Sequence, residues 1–235
     1  MLKLITLTLG LIPLGLHAQT WVHKGAPAQL VELYTSEGCS SCPPADKFLS
    51  TFKNNTNLWS GVIPMAFHVD YWDYLGWKDV FSHPSFSQRQ RLYQAYGRTS
   101  SVYTPGFVVD GKEWRGFFNR SPLPPLSTRT SGALKLHYTD DGSFSLNYSE
   151  PGKYTAHLVL LSSNQETKVL RGENRGEKLQ HDFVVRSKTQ QTGSTSWRFE
   201  FSQLPKNVDA VAVWLTKNDF SAPIQTVAGW IEPKN

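Results

Sequence analysis

The sequence predicts a chain in two parts, an α/β domain followed by an all-β sandwich-like domain. Three observations predict it. Strand-like and helix-like runs alternate in the order β-α-β-α-β-β between Gln29 and Glu113. The proline-rich stretch Ser121-Pro122-Leu123-Pro124-Pro125-Leu126-Ser127 then marks a change of composition. From Gly132 onward, short alternating runs separated by turn residues supply about seven strands. The divisions are an export signal at 1–18, the α/β domain at 19–120, a linker at 121–131 and the β domain at 132–235.

Residues 1–18 place one cation, Lys3, before an apolar run that ends in Leu16-His17-Ala18, the pattern of a secretory signal peptide cleaved after Ala18. The run falls short of the ~20 residues that a membrane span needs. No cysteine follows it to carry a lipid. A periplasmic or secreted protein without stable membrane insertion is expected, in an oxidising compartment.

Gln29-Leu30-Val31-Glu32-Leu33-Tyr34-Thr35 reads as the first strand, and Ser36-Glu37-Gly38 as a polar turn after it. Cys39-Ser40-Ser41-Cys42-Pro43-Pro44 leads into a helix. Two prolines fit only its first turn, and Phe48, Leu49 and Phe52 recur at helical spacing. A second strand spans 61–69, a second helix 84–98 and a third strand 103–109, with Asp110-Gly111 making a tight hairpin into Lys112-Glu113. In the β part, strands are expected at 134–138, 144–148, 154–161, 180–186, 197–201, 208–215 and 225–231.

Composition narrows the function classes. Charged residues make up 18% and aromatic residues 13%, with eight Trp, so disorder is excluded and large rings must fill the interior or a binding surface. The formal charge of +5 is spread along the chain and falls to +4 without Lys3, which is no footprint for nucleic acid. Two cysteines exclude a multi-disulfide scaffold and a four-cysteine zinc site.

Those two cysteines, Cys39 and Cys42, carry the chemistry. A helix N-terminus offers partial positive charge and free N–H groups, which stabilise a thiolate at the first cysteine of a Cys-x-x-Cys. Cys39 is then the attacking nucleophile and Cys42, one helical turn on, the resolving thiol. A structural staple is the bland alternative, although so short a loop contributes only roughly 2 kcal/mol. Two thiolates also suit a soft ion such as Cu(I). The segment Val102-Tyr103-Thr104-Pro105-Gly106 is compatible with a cis Thr104–Pro105 bond.

With Cys-x-x-Cys and Thr104-Pro105 in this order of elements, residues 29–118 resemble the thioredoxin superfamily. More narrowly, the runs 31–46, 68–79 (His68-Val69-Asp70-Tyr71-Trp72-Asp73 onward) and Arg171-Gly172-Glu173-Asn174 are similar to a secreted bacterial family of thioredoxin-like domains of unknown function. The resemblance implies a mixed sheet with flanking helices, a redox role for Cys39 and Cys42, and a partner-positioning role for Thr104 and Pro105. The chain departs from the superfamily pattern in three places. Gly38 stands where thioredoxins proper carry a Trp. Leu33 stands at the buried-acid position, with Glu32 one residue further back. Prolines 122, 124 and 125 interrupt the closing helix, which is expected to be shortened or replaced.

Two placements are open for Glu32: a proton relay to Cys42, or an outward surface acid. Two are open for His68, Asp70 and Asp73: a polar pocket beside the cysteines, or a hydrogen-bonded loop with buried rings. The turn Gly172-Glu173-Asn174-Arg175-Gly176 reads as structural. No metal site and no cofactor are expected from spacing. The function expected is thiol–disulfide exchange with protein thiols or disulfides, fed by a membrane-bound or soluble redox donor. The rivals are a binding protein on a non-catalytic scaffold, whose two sulfurs would both be buried, and a Cu(I) carrier.

Overall fold

The computed structural model describes residues 18–218 and 220–232. Residues 1–17 of the expected export signal lie outside the described residues, and Ala18 opens the first strand. In chain order the first half contains β1 (Ala18–Gly25), β2 (Gln29–Thr35), α1 (Pro43–Ser50), β3 (Val62–His68), α2 (Pro84–Ala95), β4 (Gly106–Val109), β5 (Lys112–Glu113) and α3 (Gly116–Asn119). The second half contains β6 (Ser131–Thr139), β7 (Ser143–Tyr148), β8 (Tyr154–Ser162), β9 (Gln165–Lys168), β10 (Lys178–His181), β11 (Val184–Gly193), β12 (Ser196–Glu200), β13 (Ala210–Thr216) and β14 (Gln225–Trp230).

Local chemistry explains most of these boundaries. Pro43 and Pro44 occupy the first two positions of α1, and a 3₁₀ turn at Thr51–Asn54 continues it far enough to bury Phe52. Pro84 starts α2, capped by the His83 ring, which accepts from the Ser85 amide. Asp110 and Gly111 both take positive φ, 47° and 77°, the geometry a two-residue hairpin requires. The closing helix is the single turn α3, and 121–130 runs on without regular structure.

β2 and β3 are parallel and buried along their whole length, because both faces of their sheet are covered. Alternation along β2 sends Val31 and Leu33 to the α1 side, with Ala45, Leu49 and Phe107. It sends Leu30 and Tyr34 to the α2 side, with Phe67, Phe86 and Tyr93. Truncating Leu33 to Ala in so filled a layer costs about 2–5 kcal/mol.

The expected division into an α/β domain, a linker and a β domain does not divide the sheets. One eight-stranded sheet runs β14-β13-β8-β11-β3-β2-β4-β5, so strands from both halves share it. The junction is a parallel bridge between Val184 of β11 and Ala66 of β3, helped by the Ala66 amide donating to the Phe183 carbonyl at 2.8 Å. β1 also departs from the expected partition. It pairs antiparallel with β6, Trp21 opposite Leu136, in a four-stranded sheet β1-β6-β7-β12. That sheet packs on β8, β13 and β14 through Leu136, Phe144, Leu158, Trp197, Val213 and Val227. The two sheets thus share one core, and one of the two layers is the far end of the long sheet.

Candidate functional site

The site builds at the C-terminal ends of β2 and β3, where the chain leaves Thr35 for the cysteine loop. Cys39 and Cys42 are disulfide-bonded, with their Cα atoms 5.5 Å apart. The Cys39 amide donates to Ser36 O at 3.1 Å and the Cys42 amide to Cys39 O at 3.2 Å, so the loop is wound tightly before Cys42 caps α1. The helix start differs from the expected thiolate-stabilising one. Pro43 and Pro44 have no N–H, and the amides of Ala45 and Asp46 are both taken by Cys42 O at 2.8 and 3.1 Å. No amide in this first turn is left for a sulfur. A Ser41 hydroxyl lies 3.5 Å from Cys39 Sγ. Both cysteines are buried, at 1% and 0% exposure.

The Thr104–Pro105 peptide is cis. Trp72 connects it to the cysteine loop, its indole N–H donating to Thr104 Oγ1 at 2.7 Å. At its other end Trp72 abuts Gly38, where a Cβ would stand 2.9 Å from the Trp72 Cβ. Any side chain at position 38 would collide with the start of Trp72, which is why glycine stands there. Gln90 of α2 holds the segment before Thr104, donating to Tyr103 O at 2.6 Å.

A loop from the second half closes over the cysteines. Asn174 donates through Nδ2 to Glu37 O at 2.8 Å and to Cys39 O at 2.9 Å. Glu173 accepts from the Ser40 amide at 2.9 Å, and that amide holds its carboxyl below the usual range. The turn expected to be merely structural is thus a clamp on the cysteine loop. In the sequence, only the family resemblance of segment 171–174 points to it.

Beneath the disulfide lies a buried group of acids and imidazoles. His68, at the end of β3, donates through Nδ1 to Asp79 Oδ2 at 2.7 Å. Asp79 also accepts from the amides of Glu37 and Phe81, each at 2.9 Å. Burial works against the Asp79 charge, but His68 beside it and these amides hold its carboxyl below the usual range. Asp46 in the first turn of α1 accepts from the Thr35 hydroxyl at 2.9 Å, and Glu37 accepts from the Trp77 indole at 2.8 Å. His181, closing β10, lies between them, with Nε2 3.5 Å from Glu37 Oε1 and Nδ1 3.8 Å from Asp46 Oδ1. Neither contact makes a hydrogen bond. Burial disfavours the imidazolium, yet the two acids outweigh it and push the His181 pKa up to about 10. Among the described residues His68 Nε2 has no hydrogen-bond partner, and its ring meets that of His181 with centroids 4.8 Å apart.

Two expected groupings are corrected. His68, Asp70 and Asp73 do not form one pocket. Asp70 is taken up by the Ser87 hydroxyl, and Asp73 by the Asp79 amide and the Ser82 hydroxyl. The hydrogen-bonded loop is what this stretch makes, and only His68 of the three belongs to the buried group. Glu32 is neither a relay to Cys42 nor a surface acid. It lies on the α2 side of β2, opposite the face that meets α1, in a two-pronged ion pair with Arg89 at 2.9 Å on each prong. Tyr34 and Tyr93 also donate to it, at 2.9 and 2.6 Å.

The site opens on a cleft of about 640 Å³ lined by Ser40, Pro43, Asp46, Lys47, Asn174 and His181, among others. The sequence pattern of a family described as "Protein of unknown function (DUF1223)" matches residues 30–216. The chain is similar in fold to the X-ray structure of protein AGR_C_4864 from Agrobacterium tumefaciens, with 23% identity, TM-score 0.62, and 88% of this chain and 94% of that one covered. It is also similar to HBP35 of Porphyromonas gingivalis, with 13% identity, TM-score 0.55, and 88% and 76% covered. No curated protein matches.

Proposed function

We propose that this chain, which belongs to the DUF1223 family, is an exported thiol–disulfide oxidoreductase built on a thioredoxin-like arrangement. It exchanges disulfides with protein partners through Cys39 and Cys42. The carrying observation is the Cys39–Cys42 disulfide at the start of α1, tied through Trp72 to Thr104 of the cis-proline segment. In the forward direction a thiolate at Cys39 attacks a partner disulfide, the Cys39–partner bond forms, and the partner's other sulfur leaves as a thiolate. Cys42 then attacks Cys39, the Cys39–Cys42 bond forms, and the second partner sulfur departs. The pair loses two electrons and the partner gains them.

The surroundings favour the reducing direction. A strong oxidant needs a well-stabilised thiolate. Here the first turn of α1 has no free amide to stabilise one. Exchange also requires the Glu173–Asn174 clamp to withdraw, because Cys39 is 1% exposed behind it. The test is reduction of a model protein disulfide by the pre-reduced chain and by Cys39→Ala. Activity lost with Cys39 supports the reading, and equal rates for both proteins contradict it.

The same burial favours a second reading, a binding scaffold in which the pair is a staple. Its signature is a disulfide that stays closed in dithiothreitol until the protein unfolds.

A further inference from the structure

We infer that Asp46, His68 and His181 form a binding site for a first-row divalent transition ion of the zinc type, beneath the disulfide and independent of its sulfurs. The three side chains come from α1, β3 and β10, and each offers a ligand atom within 4.8 Å of the others. Zinc holds nitrogen and oxygen ligands at roughly 2.0–2.2 Å in a tetrahedron, so neighbouring donors lie about 3.4 Å apart. The donors, now within 4.8 Å of one another, close on an ion with about 1.4 Å of side-chain movement shared among the three residues.

The donor atoms are already assigned by what surrounds them. His68 gives Nδ1–H to Asp79, which the Glu37 and Phe81 amides hold in place, and this leaves Nε2 buried with no partner. A carboxylate behind an imidazole is how proteins orient a metal-ligating histidine. Asp46 accepts the Thr35 hydroxyl at Oδ2 and turns Oδ1 toward His181 Nδ1. His181 Nε2 faces Glu37, which supplies the matching outer acceptor. Phe81 packs edge-on against both imidazoles, at 5.2 and 5.6 Å, as an apolar wall.

A proton on His181 answers the two acids but leaves both of its nitrogens and His68 Nε2 without a hydrogen bond. A divalent ion satisfies His68 Nε2, His181 Nδ1 and Asp46 together, and frees His181 Nε2–H to turn to Glu37. Two imidazoles and one carboxylate suit zinc, cobalt, nickel or copper over magnesium or calcium, which prefer oxygen alone. Asp46 and His181 also line the cleft, which gives the ion an entry path and leaves room for a fourth ligand.

The experiment is titration of the chelator-treated, disulfide-intact protein with Co²⁺, followed in the visible spectrum, and with Zn²⁺ by calorimetry. One saturable site per chain is expected, with proton release on binding. His68→Gln and His181→Gln should each weaken it at least 100-fold, and Asp79→Asn by 10–100-fold. If a variant does not fold, histidine nitrogen shifts of the unmodified protein on adding Zn²⁺ carry the same information, moving at His68 Nε2 and His181 Nδ1. The inference fails if no saturable binding occurs, if those shifts do not move, or if folded His68→Gln and His181→Gln bind as well as the parent. It also fails if binding appears only after the disulfide is reduced, which would make the thiolates the ligands. None of these outcomes bears on whether Cys39 exchanges disulfides.

Discussion

Two buried acidic groups lie on opposite faces of β2, and they differ in how completely their polar atoms are satisfied. On the α2 side, Glu32 receives two bonds from Arg89 and one each from Tyr34 and Tyr93, and both of its oxygens are occupied. On the α1 side, Glu37 Oε1, His68 Nε2 and both nitrogens of His181 have no hydrogen-bond partner among the described residues. Burial is alike in the two, with Glu32 at 1% and Glu37 at 0% exposure. A closed network of this kind holds a fold together, because every desolvated charge recovers its hydrogen bonds. An open one costs stability and is kept where something else must bind or react. Acids alone therefore mark neither function nor structure; the unpaired atoms distinguish them.

The largest test of the contrast is Arg89→Met. It strands the Glu32 carboxylate in the core and should cost about 3–5 kcal/mol in urea unfolding. A loss below about 1 kcal/mol would mean that the closed network is not structural.

The second test is pH. The His181 pKa stands above its unfolded value, so its contribution is fully present below about 6.5 and is lost as pH rises through about 10. The metal-free protein should lose on the order of a few kcal/mol across that window. His181→Gln should flatten the curve. The closed network should add nothing there, because burial and the adjacent Glu32 push Tyr34 and Tyr93 well above their ordinary range. A pH slope that survives in His181→Gln would break the comparison.

What was legible in the sequence was local. The β2 run, the helical spacing of Phe48, Leu49 and Phe52, and the Asp110-Gly111 hairpin each depend on neighbours within a few residues. The cysteine loop was legible for the same reason. Partners across the chain were not: Arg89 meets Glu32 from 57 residues away, and Asn174 reaches Glu37 O from 137 away. His181 looked like one more scattered histidine, because β10 brings it to Asp46 only through the fold. The single strand expected at 180–186 joins the end of β10 to the start of β11, and the polar continuation Ser187-Lys188-Thr189-Gln190-Gln191 pairs with β8 throughout. β1 was missed because its alternation, half exposed, gains a partner only in β6.

A smaller effect is expected at the clamp. Asn174→Ala removes two bonds to the cysteine loop, costs about 1–2 kcal/mol and should speed reduction of the disulfide several-fold. An unchanged rate of thiol trapping under dithiothreitol would show that the clamp does not control access.

The most direct test of the redox account is the reduction potential of Cys39–Cys42, measured by equilibrating the folded protein against thiol buffers and trapping the free thiols. The account predicts reversible reduction in the folded state at about −300 to −230 mV, the reducing end of the range for exchange proteins. A disulfide that stays closed below about −300 mV until the protein unfolds would contradict it and make the pair a staple.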